Sequence, residues 1–85
     1  MEIDALRIAL LAVCAPERAA PHRIHGELEH WLDRALATAE VDAALAELES
    51  RGLVSAQREA AAVAFLTTAD GRAIVAERWE EFFPA

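Results

Sequence analysis

A chain of 85 residues with 55% hydrophobic residues is large enough for one small core and too apolar for a disordered tail. Its net charge is −7 and all eight cations are arginine, which excludes long-range attraction to a polyanion but leaves room for a local basic patch. The single cysteine, Cys14, excludes an internal disulfide and a multi-cysteine zinc site, and no apolar run approaches the ~18 residues of a membrane span.

Ile3, Leu6, Leu10 and Val13 recur at helical spacing, and Ile8, Leu11 and Cys14 broaden the stripe. The first helix is therefore expected to be buried on most sides, with Cys14 as a buried thiol. Glu2 and Asp4 precede it where a signal peptide would carry cations, so a reduced, cytoplasmic protein is the expectation. Pro16 ends this helix, and residues 15–21 form a loop. Pro21 or His22 opens a second helix that fades near Arg34. Ile24, Leu28, Trp31 and Leu32 share its apolar face, with His22, His25 and Glu29 opposite and Leu36 plugging the next turn.

Thr38 is expected to cap the third helix, with Glu40 favourable in its first turn. Val41, Ala44, Leu45 and Leu48 form its buried stripe, and Gly52 takes the left-handed position that ends it. Residues 53–57 read as a strand, Arg58 and Glu59 as a tight reversal, and residues 61–66 as the return strand. Thr67 or Thr68 caps a last helix running to about Phe82. Three helices, a two-stranded wing and a C-terminal helix make an α+β, mostly helical chain: a winged helix-turn-helix in one domain over residues 1–85.

The segments "RIALLAVCA", His25-Gly26, "LAELESRGLV" and "FLTTADGRAIV" resemble the winged-helix domain of PadR-like transcriptional regulators. The resemblance covers nearly the whole chain. It implies a dimeric DNA-binding regulator that docks on a two-fold duplex site. Helix three would lie near the major groove, with the wing on the backbone.

The exposed face of helix three is unusual for that task. Its centre line is Ala39, Ala43, Ala46 and Ser50, flanked by Asp42 and Glu49 on one side and Glu40 and Glu47 on the other. Guanine is read best by Arg or Lys, and this face has neither. A carboxylate can accept from cytosine N4, yet two like charges ~4 Å apart at a surface repel by up to ~4 kcal/mol before screening. Two uses of this helix stand beside that of a plain solvated surface. In the first, double-stranded DNA is held by Arg23, Thr38, Arg51 and Arg58, with the helix inserted in the groove. In the second, Ala39, Glu40, Asp42, Ala43, Ala46 and Glu47 form a docking face for a basic protein, and the chain is an adaptor or inhibitor.

Three further features complete the reading. His22, His25 and Glu29 have spacings suited to paired metal ligands, but helix rise sets the outer two about 10.5 Å apart. They are therefore expected to be solvated polar residues, and no metal or cofactor is predicted. Trp79, Phe82 and Phe83 either fold back on the first helix or form the contact of a homodimer. No nucleophile–base–acid cluster or phosphate-cradling glycine loop is present in the sequence, so nothing points to an enzyme.

Overall fold

The structure is a computed structural model, and it describes residues 2–84. Helix α1 (Ala5–Val13) starts where the Asp4 carboxylate accepts from the Arg7 backbone N–H at 3.0 Å. Leu6, Ile8, Ala9, Leu10, Leu11 and Val13 are all buried, so α1 is a central post that touches the three other helices. Its apolar residues point in every direction because there is protein in almost every direction. Cys14 follows at its end, fully buried, and burial pushes its thiol up to about 12. It is a packing group and not a reactive one.

Helix α2 (Pro21–Leu32) has Pro21 in its first turn and ends at Asp33, which adopts a left-handed conformation with φ 54°. Ile24 and Leu28 are buried, as expected, but Trp31 lies at the margin of that face and remains 48% exposed. Helix α3 (Thr38–Ser50) buries Val41, Ala44, Leu45 and Leu48. Thr38 does not cap it: Ala37 holds the cap position with no side-chain hydrogen bond, and Thr38 is the first helical residue. Gly52, at φ 73°, ends the helix as expected. Its N–H donates to Glu49 O at 3.0 Å, and Leu53 N–H donates to Leu48 O at 2.9 Å. That pair of bonds requires a left-handed residue between helix and strand.

Strands β1 (Val54–Glu59) and β2 (Ala62–Thr67) pair antiparallel, in register from Val54 with Thr67 to Glu59 with Ala62. The reversal falls at Ala60-Ala61, two residues beyond the expected Arg58-Glu59, and both of those residues lie within β1. Two-residue hairpins favour Asn-Gly or a glycine because one or both turn residues take positive φ. Here Ala60 holds φ 50°, so the sequence carries no turn signal at the true position. Ala19, read as loop, adds a short third rung: its N–H and C=O both bond to Phe65 at 2.9 Å. Thr68, the second of the two expected threonines, caps α4 (Ala69–Phe82) by accepting from Gly71 N–H at 3.2 Å.

Most of the buried apolar residues form one cluster drawn from α1, α2, α3 and both strands. Among the described residues no helix is long and apolar enough to cross a membrane. Gly71 is the tightest point of the fold. A Cβ there would overlap the Leu53 carbonyl oxygen and meet Thr67 Cγ2 at 2.6 Å. Gly26, in the middle of α2, has open space around it. Gly71→Ala is expected to lower unfolding stability by about 1–3 kcal/mol through overpacking. Gly26→Ala should raise it by up to about 1 kcal/mol through helix propensity. Urea denaturation of the two variants checks both signs.

Candidate nucleic-acid interface

The short turn after α2 sets the angle of α3, and its fixings come from residues read as solvated. Glu29 accepts from the Leu36 backbone N–H at 2.8 Å. His25 Nε2 lies 2.7 Å from the Leu36 carbonyl oxygen. A carbonyl only accepts, so Nε2 carries the proton and donates. His25 and Glu29 also lie 3.3 Å apart. They are therefore not free members of an exposed face with His22; they clamp both backbone groups of Leu36, whose side chain is buried as the expected plug. No group of three or more His, Cys, Asp or Glu that could hold a metal ion forms among the described residues.

Along α3 the centre line Ala39, Ala43, Ala46 and Ser50 is exposed. The flanking acids are a different matter. Glu40 pairs with Arg34 at 3.1 Å. Glu47 takes Arg7 in a two-pronged contact at 2.9 and 3.1 Å, reaching from α3 to α1. Glu49 takes Arg58 in a second such contact at 2.9 and 2.8 Å, reaching from α3 to the wing. The hydrogen bonds from Arg7 and Arg58 hold the Glu47 and Glu49 carboxyls below the usual range, and raise both guanidinium groups in turn. Only Asp42 on this face makes no ion pair among the described residues. The acidic rim expected for a basic protein partner is thus mostly consumed within the chain.

The four residues assigned to DNA do not all meet. Arg58 lines a shallow groove between α3 and the wing, together with Asp42, Leu45, Ala46, Glu49 and Val63. Thr38 lines the adjoining groove between the starts of α2 and α3, with Pro21, His22, His25 and Asp42. Pro21 and Asp42 border both, so the two grooves form one continuous face. Arg23 stands at the beginning of α2, paired with Glu27 at 2.8 Å and with Glu17 at 3.6 Å. Arg51, at the end of α3, lies on the α1 side in a depression lined by Glu2, Asp4, Arg7 and Glu47. Arg51 and Arg18 are the arginines whose side chains make no ion pair or hydrogen bond among the described residues. Arg7, Val63 and Phe65 were not legible as part of this region, because they reach it from residues distant in sequence.

The C-terminal aromatics gather against α2 at the end of α4, and Phe83 also packs on the core cluster to which α1 contributes. Trp79 meets Trp31 of α2 edge-on at 5.4 Å, and Phe83 stacks on Trp79 at 4.4 Å. Phe82 lies under the Arg78 guanidinium at 5.6 Å. Trp79, Phe82 and Phe83 are each half-buried, so the cluster closes the α2–α4 seam and leaves part of its rings in solvent.

This arrangement is the winged helix-turn-helix fold, with a two-stranded wing beside the third helix. The backbone is similar to that of RosR from H. salinarum, with a TM-score of 0.84 and 21% identity over 94% of this chain and 74% of that one. It is similar also to a PadR family transcription regulator from Clostridium difficile R20291, with a TM-score of 0.78 and 14% identity over 92% of this chain and 86% of that one. Bacillus subtilis PadR in complex with operator DNA gives a TM-score of 0.72 and 12% identity, over 87% of this chain and 46% of that one. No protein-family model and no curated protein matches the chain. The resemblance carried by the sequence motifs is thus met by the fold of PadR-type regulators.

The clamp at Leu36 makes a pH-dependent contribution. Its backbone bond holds the Glu29 carboxyl below the ordinary range. A carboxylate depressed in the folded state stabilises fully above its unfolded value, and that stabilisation is lost as pH falls through the folded one. Glu29→Ala is therefore expected to lower the melting temperature at pH 7, with the difference from the parent shrinking towards pH 3. An undiminished difference at pH 3 would show that the charge of Glu29 is not what holds the turn.

Proposed function

We propose that this chain is a winged-helix transcriptional regulator of PadR-like type that binds double-stranded DNA as a cytoplasmic homodimer. The observation that carries the reading is the exposed, small-residue face of α3 standing beside the wing, in a fold shared with a PadR seen on operator DNA. Alanines at Ala39, Ala43 and Ala46 let the helix backbone approach a groove closely. Their methyl groups suit thymine methyls, and Asp42 can accept from cytosine N4. Arg58 on the wing and Arg23 at the start of α2 would contact phosphates, with Thr38 as a hydroxyl donor and Arg51 as an outlying cation. The internal pairing of Glu40, Glu47 and Glu49 favours this reading over a basic protein partner.

Fluorescence anisotropy of a labelled random-pool duplex, titrated at low and at physiological salt, tests it. Binding that weakens with salt is expected. Arg58→Ala should reduce the slope of log affinity against log salt by about 1, the signature of one lost phosphate contact. Arg23→Ala should act in the same direction. An absence of binding at low salt would remove DNA as the partner.

The homodimer would use the aromatic seam. Trp31, Trp79, Phe82 and Phe83 bring apolar surface from α2 and α4 to one place, and a two-fold axis there would pair it with itself. Phe82→Ser leaves the rings that reach the core in place and should shift sedimentation towards the monomer. A parent chain that sediments as a monomer at tens of micromolar would refute the dimer.

A further inference from the structure

We infer that Glu49 occupies, on this protein's own surface, the place of a DNA phosphate on Arg58, and that releasing this carboxylate sets duplex affinity. The inference rests on the DNA-binding reading above. Arg58 presents both terminal nitrogens to the two oxygens of Glu49, at 2.9 and 2.8 Å. A guanidinium fork binds a carboxylate and a phosphate with the same two parallel bonds. The Arg58 side chain is 61% exposed and the Glu49 side chain 33%, so the cation is within reach of an external anion while already holding an internal one. The pair spans the groove between α3 and the wing that Asp42, Ala46 and Val63 also line.

Two consequences follow from that placement. A phosphate can take Arg58 only by displacing Glu49, so part of the contact is spent on exchange and not gained. The displaced carboxylate then stands in the same groove as the phosphate and repels it. The competing role for Glu49 is architectural: the pair would pin the wing to α3, and its loss would loosen the DNA-binding face. The two roles predict opposite signs. Removing the charge tightens binding if Glu49 mimics a phosphate and weakens it if Glu49 is a brace.

The test compares the full chain with Glu49→Gln, Glu49→Ala and Glu49→Gln/Arg58→Ala on the same random-pool duplex at low salt, after thermal melting shows that each is folded. Glu49→Gln is expected to bind about five-fold tighter, in line with the upper end for an exposed ion pair, and Glu49→Ala likewise. In the double variant the gain should vanish. Binding by the parent that is unchanged or weakened in both single variants would overturn the inference while leaving the DNA reading intact. A gain that persists without Arg58 would also overturn it, since the effect would then be general loss of negative charge. No binding by the parent or by any variant would overturn the DNA-binding reading itself, and this inference with it.

Discussion

The fold depends on one crowded junction, where α1, the end of α3, the wing and α4 come within a side chain's width of one another. Gly71 sits there because no Cβ fits between the Leu53 carbonyl and Thr67. Around it, Thr67 donates its hydroxyl to Leu11 O at 2.6 Å and its N–H to Cys14 O at 3.0 Å. Thr68 donates its hydroxyl to Gly52 O at 2.7 Å while capping α4. Helix ends and strand ends expose polar backbone groups that cannot be left unpaired in a core. Two adjacent threonines and one missing side chain satisfy them at a single point. That junction is what sets the wing beside α3.

A second constraint operates on the surface. The arginines do not form a basic patch; most are spent on the chain's own carboxylates. Arg7 ties α3 to α1, Arg34 ties the turn to α3, and Arg58 ties the wing to α3. Each acid on the flanks of α3 except Asp42 is thereby paired with an arginine of the chain itself. The helix whose sequence is rich in carboxylates presents a surface of alanine methyls edged by closed ion pairs. Exposed pairs of this kind contribute little stability. Their effect here is to decide which charges remain available.

The architecture was legible because its signals are local. Apolar spacing marked α1 to α3, Pro21 and Gly52 marked boundaries, and the threonine pair before Gly71 marked the start of α4. The hairpin was misplaced because Ala60 accepts a positive φ that gives no mark in the sequence. The interface was only half legible. The identity of the α3 face could be counted from helical period, whereas the partners of its acids could not. Arg7 lies 40 positions from Glu47, and Arg58 reaches Glu49 only because the wing folds back over the helix. His25 and Glu29 look solvated from sequence for a different reason. Their partner is the backbone of Leu36, and backbone groups are invisible to a reading of side-chain types.

The net charge of −7 is a sum over the whole surface, whereas recognition belongs to one face of it. Helix α4 carries Asp70, Glu77, Glu80 and Glu81, and it packs on α1 and β2. On the α3–wing face, Glu49 and Arg58 cancel, which leaves Asp42 as the uncompensated charge. A face so close to neutral gives little electrostatic steering, so encounter with a duplex would be slow compared with a basic DNA-binding protein. It also releases few counterions, so non-specific binding, which depends on them, would be weak. Close helix–groove fit and methyl contacts would then supply a larger share of the affinity than phosphate contacts do. Such a protein gains selectivity by holding most DNA only weakly, and only at low salt, so its acidity becomes part of how it discriminates.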